Sequence, residues 1–560
     1  MASFGSSVAP AVRAVAGPRT VWWPCAFTIV ASIAVWLSGV RGADYPAQLL
    51  RAEIWRRAGS GVWNYWWYGG HATPSYSVLV PPMIATVGAL LACAIASVIG
   101  TYVFARLVDE LTPEEVGAGT RMLAALAFAV CAVVNVVVGR TTFAVGLATG
   151  LLAMWAWHRQ RPALAGVLAL LTPLTSPIGG AFVALAAAAV GLDALVGREG
   201  RRFREALTIG LLSAAPLVVT GLLFPSGGRF PFRGDQLVFS LVVMGVAATV
   251  YRNRAVRIGL GLAALASIVL FLVPNPLGGN FLRFTQFVVV PVGIVGVSTH
   301  ARRRAVMAGL PIAAAVVWSM QPGVSAAVQW AGDASVQEQF HRPLILEVQR
   351  RNADGQPIGR VEIPFTDNHW EAFFVASEVP YARGWERQTD LERNPELYDP
   401  ELTRAEFHDW LHHNAVRWVA VPNVPLDEGG QREAEILESW RTIPWAELVW
   451  SNADWSLYEI VDYVPIVDPP ARLLKQSADE VWLATDSAAV VTLRYEYARE
   501  LEIDGGACVM PPTEDGEWMR VYLPGPGQYR IAPDPENLIP GVSDGSCEAR
   551  ADSLFTVAST

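Results

Sequence analysis

The feature that most restricts this chain is a series of long apolar segments filling its first 330 residues. Runs of about 16–25 residues, separated by short connections bearing Arg, Pro and Gly, have the length to cross a hydrocarbon layer as helices. They fall near 21–39, 79–108, 120–138, 142–158, 161–174, 177–197, 206–224, 236–251, 256–273, 281–299 and 304–320. Pro81-Pro82 near the start of the second predicts a kink or an interfacial turn there. The fifth is short enough for a half-span or re-entrant helix. The expected fold class is a polytopic α-helical membrane domain of about 11 spans over residues 1–330, followed by an exported region.

Charge gives the orientation. Residues 1–330 hold 24 Arg, no Lys and 10 acids, a net +14, whereas residues 331–560 hold 18 bases and 41 acids, a net −23. With the N-terminus cytoplasmic, 16 Arg of the first half fall inside, among them Arg159, Arg161, Arg198, Arg201, Arg202, Arg204, Arg252, Arg254 and Arg257, and 8 fall outside. That asymmetry sets topology. The expectation is a multi-pass protein of a bacterial plasma membrane, N-terminus cytoplasmic and C-terminal region extracytoplasmic. The near-total use of Arg over Lys and the Ala/Val bias suggest the bacterial source. A cleaved signal peptide is disfavoured, because the first apolar stretch is long and Arg41 stands where small residues should precede a cleavage site. The acidic half lacks an Arg/Lys-rich aromatic surface, which argues against nucleic acid as a partner.

Cysteine usage is consistent with this. Cys25, Cys93 and Cys131 lie in apolar spans and read as small apolar residues. Cys508 and Cys547 lie in the exported tail, where a disulfide between them would stabilise by roughly 3–4 kcal/mol. No Cys/His spacing indicates zinc.

Candidate chemistry gathers in the outer connections. Segment 40–78 is too long for a tight turn, and Leu49, Leu50, Ile54 and Trp55 alternate with Arg51, Arg56 and Arg57 as in a short amphipathic helix on the membrane surface. Trp63, Tyr65, Trp66, Trp67 and Tyr68 follow, suited to headgroup level as an interfacial anchor. Asp44, Glu53 and Asp235 are the only carboxylates on the outer side of the membrane half. Glu53 sits among Arg and reads as a solvated ion pair, and Asp235 as a helix N-cap. That leaves Asp44 as the candidate base. His71 is the single outer histidine of this half, a loop residue with a structural reading. Arg283, at the outer start of the tenth span, is placed to hold a phosphate at headgroup depth, with Arg140, Arg229 and Arg233 as further candidates. The competing reading is an arginine that snorkels to any anionic lipid.

These residues carry a resemblance. An Asp after the first span, then a helix and the stretch W-N-Y-W-W-Y-G-G-H (63–71), resembles the bacterial GT-C superfamily of polytopic glycosyltransferases. The nearest resemblance is to bacterial membrane proteins labelled 6-pyruvoyl-tetrahydropterin synthase-related. G-G-N-F-L-R-F, ending one residue past Arg283, resembles that family's N-x-x-R-x element, and F-H-D-W-L-H-H-N-A-V-R-W-V-A-V-P (407–422) resembles its exported domain. Asn64 and Tyr65 stand where that family commonly has W-D-P or W-N-P. The resemblance implies a fold and a mechanism: a polyprenyl-phosphate sugar as donor, Asp44 as general base, Arg283 on the donor phosphate with Arg140 and Arg233, and Tyr45, Glu53, Trp66 and His71 toward the acceptor. Some members carry paired acids for a divalent metal. Here Tyr45 follows Asp44 with no D-x-D, so no metal ligand is assigned. Nothing indicates pterin chemistry.

Residues 331–466 mix helical and strand-like pieces, as in a small α/β domain. Thr403 and Glu406 form a capping-box pattern at the start of a helix. His408 and His412 stand four apart on it, but the H-E-x-x-H zinc pattern is absent and a solvated polar face is expected. After 467 the alternation turns to period two, as in a β-sandwich. Trp385, Trp440, Trp445 and Trp450 read as core rather than as sugar-stacking residues. The expected function is transfer of a sugar to an envelope glycan or glycolipid on the outer face. The alternatives are a transporter or flippase of lipid-linked saccharide, and an envelope-assembly scaffold.

Overall fold

Every apolar segment of the first half is helical in a computed structural model, which describes residues 19–59, 61–225, 228–300, 302–514 and 516–534. Among the described residues, eight helices are long and apolar enough to cross a membrane, beginning with Arg19–Ser38 and ending with Ala305–Trp330. Pro162–Thr175 and Gly234–Val250 are apolar but shorter. The outward faces are oily: Leu37, Leu222 and Leu310 are 72%, 77% and 74% exposed. Apolar surface on that scale is costly in water and neutral in lipid. The chain is a multi-pass membrane protein.

Two expectations about these helices need correction. The second segment breaks at Gly88, into Val80–Val87 and Ala89–Leu111, rather than at its prolines. Pro81 and Pro82 sit in the first turn of the shorter helix, where a missing N–H costs nothing. The last helix runs on to Trp330 instead of ending near 320. Inside the bundle, Phe104 stacks on Phe128 at 4.4 Å, and Phe143, Phe182, Phe281, Phe284 and Phe287 complete an aromatic core.

Beyond Trp330 the chain forms a four-stranded sheet in the order Arg360–Glu362, Val416–Pro422, Trp455–Ile460, Ala446–Ser451. The first pair is parallel and the others antiparallel, with Trp418 opposite Glu459. The helix Arg404–His413 packs on it through Phe407, Trp410 and Leu411, and its start is the capping box of Thr403 and Glu406. Two antiparallel sheets follow, of four and three strands, closing on a shared core that includes Leu483, Leu493, Val521 and Ile531. Cys508 lies on one of these strands, and Cys547 lies outside the described residues. Cys25, Cys93 and Cys131 are buried free thiols.

The segment expected to be an exposed amphipathic anchor is packed inside the protein. The helix Tyr45–Ala58 buries Leu50, Arg51, Ala52 and Ile54, and Trp63, Tyr65, Trp66, Trp67 and Tyr68 are all buried as well. Trp66, Trp67 and Tyr68 belong to the core under the mixed sheet, and Trp63 and Tyr65 to the core of the paired sheets. The Trp67 indole N–H donates to the Ala372 carbonyl at 2.8 Å and the Tyr68 hydroxyl to that of Gly384 at 2.6 Å. The Tyr65 N–H donates to Ala478 O at 2.8 Å, and the Glu496 N–H to Gly69 O at 2.7 Å. Large aromatic rings gain more from a dry core that satisfies their N–H and O–H groups than from a headgroup layer. The aromatic stretch 63–68 is a wedge between the two parts of the C-terminal half.

A buried ion pair fastens the wedge. Arg51 bonds the Glu386 carboxylate, and their side chains are only 3% and 8% exposed. Arg51 also lies 3.7 Å from the centroid of the Tyr76 ring. Burial would raise the Glu386 pKa, but Arg51 and nearby His71 hold the carboxyl well below the ordinary carboxylate range. Its contribution to stability is therefore present above about pH 4.5 and is lost as the pH falls. Glu386→Ala leaves Arg51 buried and unpaired, and should cost about 3–5 kcal/mol in detergent unfolding while flattening the loss of stability on the acid side.

Candidate functional site

The helix Ala118–Val138 stops because Gly139 takes φ +96°, from where the N–H groups of Gly139 and Arg140 both donate to Asn135 O at 2.9 Å. Chain 42–45 is pressed against this turn. The Gly42 N–H donates to Val137 O at 3.0 Å and the Asp44 N–H to Val138 O at 3.1 Å. A Cβ on Gly139 would stand 2.7 Å from the Tyr45 nitrogen, so the turn admits only glycine. Buried Tyr45 completes the clamp by donating its hydroxyl to Val136 O at 2.7 Å. The result sets the partly exposed Asp44 carboxylate 3.6 Å from the Arg140 guanidinium.

Arg283 arrives from another direction. It follows the short turn Gly278–Leu282, and the backbone then passes through the wider turn Thr285–Val289 before becoming α-helical at Val290. Such widened turns re-aim side chains within an apolar helix. Its guanidinium lies 4.8 Å from the Phe143 ring centroid, with Asp44 and Arg140 within electrostatic reach. The loop carrying Arg233 rests on the same turn, the Gly279 N–H donating to Pro231 O at 3.2 Å.

Arg140, Arg233 and Arg283 line one cavity of about 300 Å³, joined there by Gln286, Arg387 and Glu428. The pairing of these cations decides what the cavity can do. Arg233 grips Asp235 with two bonds of 3.1 and 3.2 Å, so Asp235 serves as its counter-ion rather than as the expected N-cap. Arg387 grips Asp427 at 2.9 and 2.6 Å. Arg140 faces Asp44. Among the described residues, Arg283 alone of the four has no carboxylate partner and no hydrogen bond. A guanidinium in that state is a site for a phosphate or another anion.

The other sequence candidates lie elsewhere. Glu53 pairs with Arg56 and, at 2.8 Å, with Arg57 on the outer side of its helix. Trp66 is core. His71 is buried 3.8 Å from Glu386, beside a separate cavity of about 560 Å³ that Arg393 and Glu496 also line.

Three consecutive residues that sequence reasoning missed complete the site from the C-terminal half. Trp385 donates its indole N–H to the carbonyl of Ala43 at 2.6 Å, directly before Asp44. Glu386 makes the ion pair with Arg51, and Arg387 reaches the cavity. His369, at φ +56°, stacks on Trp385 with centroids 3.3 Å apart, and its Nε2 is 3.7 Å from Asp427. Burial pushes its pKa down despite that carboxylate. The only local signal for these residues is a charged pair flanking a tryptophan, W-E-R, within an otherwise ordinary stretch.

No protein-family model matches the chain, and no curated protein matches it. Among solved structures, the crystal structure of ArnT from Cupriavidus metallidurans in the apo state aligns over 78% of this chain and 97% of that chain. The identity is 13% and the TM-score 0.39, a likeness too remote to carry an argument about fold or function.

The clamp on Asp44 is testable without knowing the activity. Gly139→Ala should lower stability by about 1–3 kcal/mol in thermal unfolding, through strain at positive φ and the clash with Tyr45. Gly119→Ala, where an added methyl meets nothing within 4 Å, should leave it unchanged or slightly higher.

Proposed function

We propose that this chain is a GT-C-type membrane glycosyltransferase. In this reading it moves a sugar from a polyprenyl-phosphate donor to an envelope glycan or glycolipid on the outer face of the membrane. The observation that carries the proposal is an unpaired Arg283 sharing a cavity with Arg140, whose guanidinium faces Asp44 at 3.6 Å. The cavity is lined both by ends of apolar helices and by Arg387 and Glu428 of the C-terminal half. The resemblance of the Asp44 loop and of the stretch ending at Arg283 to GT-C sequences supports the same reading.

The chemistry follows from the pairing. Arg283 receives the donor phosphate and stabilises the charge that grows on it as the glycosidic bond breaks. Arg140 is shared: a phosphate drawing it from Asp44 leaves that carboxylate free to accept a proton. Asp44 then serves as general base on the acceptor hydroxyl, an otherwise poor nucleophile. One carboxylate suffices for an inverting displacement. No metal ligand is assigned, since Asp44 faces a guanidinium and is followed by Tyr45 rather than by a second acid.

Asp44→Asn should reduce transfer from a polyprenyl-phosphate sugar in proteoliposomes by about 10²–10⁴-fold while leaving donor binding in place. Arg283→Met should weaken donor binding itself. Full transfer by the Asp44 variant would overturn the base assignment, and a wild type that binds no polyprenyl-phosphate sugar would overturn the enzyme reading.

A further inference from the structure

The helix Arg404–His413 turns Phe407, Trp410 and Leu411 into the core, which leaves His408 and His412, one turn apart, on its outer side. The turn after the strand Trp455–Ile460 carries Asp462 up against them. His408 Nε2 and His412 Nε2 lie 3.1 and 3.4 Å from the same Asp462 Oδ1, and the two imidazole centroids are 4.2 Å apart.

We propose that His408, His412 and Asp462 form a binding site for a transition-metal dication of the Zn²⁺ type. Ligands held tetrahedrally at about 2.0–2.2 Å stand about 3.3–3.6 Å from one another. Both nitrogens stand at about that spacing from the carboxylate oxygen, and all three donor atoms lie within 4.8 Å of one another.

A hydrogen-bonded cluster alone does not satisfy these groups. His408 uses Asp462 as its hydrogen-bond partner, whereas the buried His412 Nε2, 3.4 Å from the same carboxylate oxygen, has no hydrogen-bond partner among the described residues. A buried ring nitrogen without a partner is a cost that a metal removes, because it accepts the lone pairs of both imidazoles and of the carboxylate together. His408 is stacked on Trp445 at 4.6 Å and 15°, which fixes its ring plane. Asp462 is 49% exposed, leaving the fourth position open to water. Two imidazoles and one carboxylate suit Zn²⁺ and its neighbours better than Ca²⁺ or Mg²⁺. The adjacent His413 points away to Glu517 at 3.0 Å and takes no part. The bound ion fastens the outer face of the helix to the turn after the strand. The site is independent of the Asp44 cavity.

The test uses the full-length protein in detergent, stripped with EDTA and titrated with Zn²⁺ by calorimetry. One tight Zn²⁺ per chain is expected, raising the unfolding temperature. Replacing Zn²⁺ with Co²⁺ should give the visible absorption of a four-coordinate site. His412→Ala and Asp462→Asn should each weaken Zn²⁺ by at least about tenfold and abolish the rise in unfolding temperature, since even outer partners of metal ligands are worth that much. His413→Ala should bind as the wild type does. Wild type that takes up no Zn²⁺ at micromolar concentrations, or His412→Ala that binds it unchanged, overturns the proposal.

Discussion

The ion pair between Arg51 and Glu386 decides how the two halves of this molecule meet. Two charges removed from water are tolerable only if they find each other. Arg51 comes from the helix after the first span and Glu386 from the C-terminal half, 335 residues later. Fixing Glu386 also fixes its neighbours: Trp385 bonds the carbonyl before Asp44 on one side, and Arg387 lines the cavity on the other. The aromatic wedge 63–68 supplies the apolar burial that makes the junction rigid. The C-terminal half is therefore part of the candidate site rather than an appendage to the membrane helices.

The site itself is a problem of cation pairing. Four arginines around about 300 Å³ would repel one another without counter-ions. Three of them face Asp44, Asp235 or Asp427, and the fourth, Arg283, has none among the described residues. The glycine-permitted contact between chain 42–45 and the Gly139 turn sets Asp44 at the edge of this field. In the proposed reading, a phosphate entering beside Arg283 meets a guanidinium without a carboxylate partner among the described residues and draws Arg140 from Asp44.

Much of the membrane half was legible because helix length and apolar content report directly on burial in lipid. Asp44, Arg140, Arg233 and Arg283 stood out because charge is scarce at the outer ends of spans. The aromatic stretch 63–68 misled, since rings suited to a headgroup layer are equally suited to a core, and composition does not say which is near. The site roles of Trp385 and Glu386 were invisible because Ala43 and Arg51 lie 342 and 335 residues away, and no local spacing encodes such a contact; Arg387 was missed with them. His408 and His412 were seen, but without the H-E-x-x-H pattern they read as a solvated polar face. Asp462 comes from a turn 54 residues beyond His408.

The proposed function requires the donor phosphate to sit beside Arg283, and photo-crosslinking tests that most directly. A polyprenyl-phosphate analogue with a photoreactive group beside the phosphate, activated on the protein in proteoliposomes, should label peptides containing Arg140 and Arg283, and unmodified polyprenyl phosphate should compete the label away. Labelling confined to other parts of the chain, or unaffected by the competitor, would contradict it.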